Sequence, residues 1–240
     1  VRLLVLGGAG GIGRALVAAS LGAGDEVHVL DLPASLAAHP PPVPATPTDA
    51  RDAASLAEAV AAGADALGGI DGFVNLVGFM SPPAPVAAVP VATWEEVLGG
   101  NLGAAFHAAR AVAPLMTAGA MVHVGSGLGH NVRPGFGPYA VAKAGMAALV
   151  RQLALELAPA LRVNCVAPSA VDTAFLRGGT GRSAEDGHPP VDLAAYAAAI
   201  PLGRVAVPAD VVGPIRFLLS DAARYVTGQV LHVNGGAYMP

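Results

Sequence analysis

Charge is scarce in this chain. Asp, Glu, Lys and Arg make up 12% of its 240 residues, about half the share usual in soluble domains. The net charge is −4, so no global basic field exists to draw in nucleic acid. Aromatic residues reach only 5%, and alanine inflates the 54% hydrophobic fraction. Cys165 is the only cysteine. An intrachain disulfide is therefore excluded, and a reducing compartment, the cytoplasm, is expected. Of the metal signatures, HExxH, CxxC and paired carboxylates are all missing despite seven histidines, and no metal is expected. Two stretches, Gly72–Trp94 and Ala111–Val132, run for more than twenty residues without formal charge, which is membrane-spanning length. Pro82, Pro83, Pro85 and Pro90 interrupt the first, and Pro114 with several glycines breaks the second. Neither suits a bilayer, where every backbone group must be satisfied internally. The chain opens directly on a strand pattern, with no signal-peptide pattern ahead of it.

What is present alternates. Short apolar runs at Arg2–Leu6, Glu26–Leu30, Gly72–Val77, Ala120–Gly125, Leu161–Val166 and Gln229–Val233 read as strands. Between them lie helical patterns at Ile12–Leu21, Asp52–Ala66, Trp94–Met116, Pro138–Leu157 and Pro208–Leu219. Pro33–Thr48, with its three consecutive prolines, reads as a surface loop, and Val43–Thr46 within it as at most an edge strand. Ala174–Ile200 is irregular, with a short helix near Leu193–Ala199. Strands alternating with helices predict one doubly wound parallel sheet, Rossmann-type, of about seven strands with helices on both faces. The whole of 1–240 is read as a single domain.

The stretch Leu6–Gly13 reads LGGAGGIG. Gly8, Gly10 and Gly13 spell GxGxxG; Gly7, Gly11 and Gly13 spell GxxxGxG. Either way the loop joins a strand to a helix N-terminus, whose free N–H groups and dipole suit a pyrophosphate. Asp31 ends the second strand, 18 positions beyond Gly13. A carboxylate there accepts hydrogen bonds from the adenosine ribose hydroxyls and repels a 2′-phosphate, and Leu32 and Pro33 offer no base, which points to NAD rather than NADP. Arg14 is the residue able to reverse that preference. Farther on, Tyr139-Ala-Val-Ala-Lys143 places a phenol and an ammonium on one helix face. A nearby ammonium lowers a phenol pKa and makes Tyr139 a candidate acid/base. Ser126 ends a strand 13 residues earlier, on the same carboxyl edge of the sheet.

With these residues the chain resembles the classical short-chain dehydrogenase/reductase family. The likeness runs from Val5 to Tyr238 through LGGAGGIG, NLVG (Asn75–Gly78), Asn101, Ser126, YAVAK, RVNCVAPSAVDT (Arg162–Thr173) and VTGQVLHVNGG (Val226–Gly236). The resemblance implies the GxxxGxG register, with Gly7, Gly11, Ile12 and Gly13 at the cofactor. It implies that Ser126 bonds the substrate oxygen, Tyr139 exchanges the proton, Lys143 holds the nicotinamide ribose, and Asn101 holds a relay water. It further implies Asp49 beside the adenine, Asn75 and Gly78 lining the cofactor cleft, and Pro168, Val171 and Thr173 near the nicotinamide. The segment 174–200 becomes a lid over substrate. Leu6 replaces the family's threonine, and Leu76 and Val77 replace its asparagine and alanine, so side-chain packing of Leu6 on Leu76 is expected in place of a polar link. Ser169 replaces a glycine, and the segment between strands two and three is too short for a normal helix.

Several residues keep two readings. His130 and Asn131 follow Ser126 and are either an exposed loop or a substrate contact. Arg177, Arg182 and His188 lie in the lid segment; Arg177 or Arg182 faces solvent or binds a carboxylate or phosphate. Phe79, Met80, Leu128, Phe136 and Phe175 form a pocket wall or simply core. The expected activity is NAD-dependent interconversion of a secondary alcohol and a ketone by hydride transfer. The alternatives are an NADPH-dependent 3-oxoacyl-type reductase and a non-catalytic NAD(H)-binding sensor. A homo-oligomer, tetramer or dimer, is implied through the helices Trp94–Met116 and Pro138–Leu157.

Overall fold

A computed structural model describes residues 1–177, 189 and 192–239. Seven strands form one sheet: β1 Arg2–Leu6, β2 Glu26–Asp31, β3 Ala45–Pro47, β4 Gly72–Asn75, β5 Gly119–Val124, β6 Leu161–Pro168 and β7 Val230–Val233. Their spatial order is β3-β2-β1-β4-β5-β6-β7, and every pairing is parallel. The order runs one way from β1 to β3 and the other way from β4 to β7. The reversal therefore falls between β1 and β4, the switch point at which open α/β sheets bind ligands.

Period-two alternation sends side chains to both faces. Leu4, Leu6, Leu30, Phe73, Met121 and Val163 meet α3 (Ala53–Leu67), α5 (Ala104–Val112) and α6 (Gly137–Leu157) on one face. Leu3, Val5, Val29, Val74, Val122 and Val166 meet α1 (Gly11–Gly22) and α8 (Pro208–Leu219) on the other. Each such leucine or valine removed from water contributes roughly 1.5–3 kcal/mol. The short helices α2 (Pro33–Ala38), α4 (Val91–Leu98) and α7 (Leu193–Ala199) flank these layers, with Leu36 of α2 packed against the second and Val97 of α4 buried. Local signals set the ends. Asp52 caps α3 by accepting the Ala54 and Ser55 N–H groups at 3.0 and 3.1 Å, and Gly68 closes it at φ +67°.

Three expectations are corrected. Residues 33–38 form a helix, because proline at its first position has the φ a helix needs and no N–H to lose. Strand β3 follows at the sheet edge, where Pro44 and Pro47 are tolerated. Trp94–Met116 is not one α-helix. α4 and α5 are joined by a π turn at Gly99–Gly103, and Pro114 sits in a terminal 3₁₀ turn at Ala113–Leu115. Finally, Leu6 and Leu76 do not pack together. Leu6 pairs with Asn75 across β1 and β4, so Leu76, one residue on, points to the opposite face. Leu6 joins one core layer and Leu76 the other. The two segments are linked instead by the Leu76 N–H to Leu6 C=O bond of 2.8 Å.

Candidate active site

The cleft begins at the glycine loop. Gly7 sits at φ +86°, and a Cβ there would lie 3.1 Å from Leu76. A Cβ on Gly11 would lie 2.6 Å from the Thr173 methyl, and one on Gly13 would lie 2.6 Å from the Gly8 Cα. At Gly10 the nearest atom is 3.5 Å away, and its φ of −70° suits any residue. Gly7, Gly11 and Gly13, the positions of GxxxGxG, thus all resist a side chain, whereas Gly10 of GxGxxG does not. Gly8 is tight as well, with Val29 methyls 2.7 Å from its Cβ position, so it is more than a turn residue. Together they bring bare backbone to the N-terminus of α1.

At the far end of β2, Asp31 accepts the Ala9 N–H at 2.8 Å and the Leu32 N–H at 2.7 Å. Burial pushes its carboxyl pKa up, and these N–H groups together with the Ser35 hydroxyl pull it back. The carboxylate therefore braces the glycine loop while facing the cavity. Arg14 donates to the Ala9 carbonyl at 2.8 Å. Asp49 and Arg51 pair at 2.6 Å in the same wall.

On the opposite side, α6 carries Tyr139 and Lys143 inward, both buried. The Ser126 hydroxyl lies near the Tyr139 phenol in the cavity wall and accepts the Leu128 N–H at 3.1 Å. Lys143 Nζ donates to the Val124 carbonyl at 3.0 Å and the Val77 carbonyl at 3.5 Å, and stands 5.5 Å from the centre of the Tyr139 ring. Burial pushes Lys143 down to about 8. Burial also pushes Tyr139 up, with the nearby Ser126 hydroxyl opposing it. The expected lowering of Tyr139 by Lys143 is thus outweighed in this structure by desolvation of the phenolate.

Asn101 occupies the π turn. The wider turn brings the Ala104 N–H to the Gly99 carbonyl, and the Asn101 amide donates to the Val97 and Phe79 carbonyls, both at 2.9 Å. Its Oδ1 is buried with no partner. A Cβ on Gly78 would lie 2.6 Å from that Oδ1 and 3.0 Å from Lys143 Nζ. The two polar atoms therefore face one gap that only glycine leaves open, and an unpartnered buried acceptor beside an ammonium fits a bridging water.

One cavity of about 340 Å³ connects these features. Gly7, Gly11, Ile12, Gly13, Asp31, Asp49, Gly78, Ser126, Tyr139, Lys143, Pro168, Val171 and Thr173 line it, as do the five apolar candidates Phe79, Met80, Leu128, Phe136 and Phe175. Asn75 and Asn101 lie behind the wall rather than in it. Asn75 accepts the Val77 N–H at 3.0 Å and faces His123 Nδ1 at 3.3 Å, shaping the chain end that presents Gly78. His123 is fully buried, and burial, then the Lys143 charge, holds it down at about 4. Asn131, not His130, is in the wall; His130 stacks edge-on against His232 with ring centres 4.8 Å apart. Arg177 pairs with Asp172 at 2.7 Å. Arg182 and His188 lie outside the described residues. Ser169 keeps β6 in its ladder, donating to the Val233 carbonyl at 3.1 Å.

Sequence reading missed Arg133, Tyr196, Asn234 and Tyr238, all in the cavity wall. Asn234 had a local signal. It precedes two glycines, a turn pattern; these sit at φ +61° and +88°. The Asn234 Oδ1 accepts the Gly236 N–H and its amide donates to the Tyr238 carbonyl, which folds Tyr238 back onto the cleft. Among the described residues, no group of three His, Cys, Asp or Glu could hold a metal ion, and no helix is long and apolar enough to cross a membrane.

Residues 7–238 match the family model described as enoyl-(acyl carrier protein) reductase. The cis-4-hydroxycyclohexanecarboxylate dehydrogenase of Sinomonas cyclohexanicum is 37% identical over 194 residues, covering 79% of this chain and 74% of the relative. The 2-(S)-hydroxypropyl-CoM dehydrogenase 3 of Xanthobacter autotrophicus is 30% identical over 249 residues, covering 98% and 95%. A short-chain type dehydrogenase/reductase from Mycobacterium ulcerans superimposes with a TM-score of 0.86 at 30% identity, covering 98% of this chain and 88% of that one. A parallel seven-stranded sheet, a bare glycine loop at its switch point and a Ser–Tyr–Lys set at one cleft thus coincide with matches over nearly the whole length: the chain belongs to the classical short-chain dehydrogenase/reductase family, oxidoreductases that act on CH–OH groups with a nicotinamide cofactor.

Proposed function

We propose that this chain is an NAD-dependent oxidoreductase that interconverts a secondary alcohol and a ketone, with Tyr139 exchanging the proton. The observation that carries the reading is the placement of Ser126, Tyr139 and Lys143 together at the inner end of a cleft whose outer end carries Asp31. The residues present fit the cofactor. Gly7, Gly11 and Gly13 leave backbone uncovered at a helix N-terminus. Asp31 offers a carboxylate to ribose hydroxyls and an unfavourable charge to a 2′-phosphate, and Arg14 is engaged with the Ala9 carbonyl. Asp49 would stand at the adenine end. Pro168, Val171 and Thr173 would flank the nicotinamide, which when bound gives or takes the hydride.

The chain's own residues handle the proton. Ser126 orients the substrate oxygen toward Tyr139. With its pKa pushed up, Tyr139 rests as a neutral phenol, the form that protonates a ketone oxygen during reduction. Lys143 places positive charge beneath that phenol as the proton leaves, and the gap between Lys143 and Asn101 Oδ1 gives the proton a route through water. The relatives named above are named for hydroxy substrates, which supports an alcohol–ketone pair. A 3-oxoacyl-[acyl-carrier-protein] reductase of Chlamydia trachomatis, 33% identical over 171 residues, favours a second reading, an NADPH-dependent reductase of 3-oxoacyl chains. Exposed Phe106 on α5 and Val141 and Leu155 on α6 support packing of these helices against a second copy.

Tyr139→Phe removes the transferable proton and leaves the cleft walls intact. Turnover should fall at least ~10²-fold, the scale of acid/base catalysis, while NADH still binds by fluorescence. Near-normal turnover would exclude the mechanism. Steady-state kcat/KM with each cofactor decides the rest: a preference for NADP refutes the role given to Asp31 and favours the second reading.

A further inference from the structure

We infer that the substrate carries an anionic group, a carboxylate or its equivalent, received by Arg133 on the substrate side of the cleft. This rests on the oxidoreductase reading above and deepens it.

Among the described residues, the ionisable groups of the cavity wall are Asp31, Asp49, Arg51, Arg133 and Lys143, besides the tyrosines. Asp31 braces the glycine loop, and Asp49 neutralises Arg51; all three belong to the adenosine end. Lys143 is buried at the reacting end with its ammonium on backbone carbonyls. Arg133 remains. It is exposed toward solvent, and no carboxylate among the described residues lies within ion-pair distance of it. Arg177, one of the two arginines weighed in the sequence for an anion, is by contrast paired with Asp172. Among the described residues, the substrate side therefore combines an apolar wall (Phe79, Met80, Phe136) with one uncompensated cation and no carboxylate of its own.

Arg133 is also held in place. Its carbonyl accepts the Phe136 N–H at 3.4 Å, and the next turn is latched to the opposite wall by the Ala84 N–H to Gly135 C=O bond of 3.1 Å and the Ala84–Phe136 bridge. Gly135 makes that turn possible at φ +90°. An arginine at a fixed mouth beside an apolar wall matches a molecule with a hydrocarbon body and one planar anionic end, which a guanidinium grips through two parallel N–H bonds. A cofactor 2′-phosphate is not its ligand, since that group would lie at the Asp31 end.

The test uses keto acids, 4-oxopentanoate and 4-oxocyclohexanecarboxylate among them, each beside its methyl ester, with NADH as reductant. A charge-assisted hydrogen bond is worth enough for about a tenfold to hundredfold preference; exposure of Arg133 places the expected value near tenfold, falling as salt rises. In Arg133→Ala the acid-to-ester ratio of kcat/KM should collapse through KM, and Arg133→Lys should recover part of it. Equal use of acids and esters by the wild type, or a ratio unchanged in Arg133→Ala, overturns the inference while ketone turnover leaves the oxidoreductase reading standing. Binding of the same pairs to the enzyme–NADH complex, followed by NADH fluorescence, separates the reverse case. Arg133-dependent binding of acids without turnover upholds the anion site and removes the reading it was built on. Binding that ignores charge overturns the inference.

Discussion

Lys143 gives the sharpest physical test of the site, because a buried ammonium leaves a signature in stability as well as in catalysis. Burial lowers its pKa from 10.5 to about 8. At 1.36 kcal/mol per unit, holding the proton in the folded state costs roughly 3 kcal/mol relative to the unfolded chain. The sign follows from proton counting. Below pH 8 both states carry the proton, and the penalty is fully present. Between pH 8 and 10.5 the folded protein has released it while the unfolded chain keeps it, so the unfolded state binds more protons and stability rises with pH. Lys143→Met has no such group. It loses the bonds to the Val124 and Val77 carbonyls, a pH-independent cost of roughly 1–3 kcal/mol that does not enter the slope. Urea unfolding of cofactor-free wild type and variant at one protein concentration, at pH 7 and pH 10, gives both stabilities. The wild type should gain roughly 2–3 kcal/mol on the variant across that interval. Turnover of Lys143→Met should be lost at every pH. A difference that stays flat, or that moves against the wild type as pH rises, refutes the claim that Lys143 is charged, buried and uncompensated at neutral pH.

The glycine register has its own test. Gly10→Ala, with its nearest neighbour 3.5 Å away, should leave the melting temperature of the cofactor-free protein nearly unchanged. Gly13→Ala, whose Cβ would meet the Gly8 backbone, should cost at least ~2 kcal/mol, the scale of forced backbone shifts in packed sites. Gly13 belongs to both patterns, so a Gly10→Ala as costly as Gly13→Ala would refute the GxxxGxG register. Cys165 is buried, and burial pushes its thiol up to about 11, so a thiol reagent at pH 7 should label it only as fast as the protein unfolds. Prompt stoichiometric labelling of the native protein would contradict the packing of β6.

Local patterns explain what was legible. The strands show as short apolar runs because a parallel sheet buries both faces, and Leu3 to Leu6 can then be apolar throughout. The Tyr139–Lys143 pair is legible because a four-residue spacing on a helix fixes a shared face whatever surrounds it. The errors arose where the outcome depended on distant residues. Side-chain contact of Leu6 with Leu76 turned on a single step of register between β1 and β4, which neither strand encodes alone. The expected drop in the Tyr139 pKa counted the neighbouring ammonium and not the desolvation that surrounding helices impose. Arg133 and Tyr238 reach the cleft through a latch to Ala84 and a turn at Asn234. Nothing in their immediate sequence marks them for it.

The π turn at Gly99–Gly103 carries a consequence for how this site is specified. One extra residue in a helix rotates everything beyond it by about 100°, so α4 and α5 are two cylinders set out of phase. Asn101 stands at the phase boundary, where its amide takes up the Val97 carbonyl that the widened turn releases. Position here is encoded by counting: the number of residues between Val97 and Ala104, more than their identity, aims the orphaned Oδ1 at Lys143. A chain could therefore keep every residue type of the Asn–Ser–Tyr–Lys set and still dismantle the set by losing a single glycine.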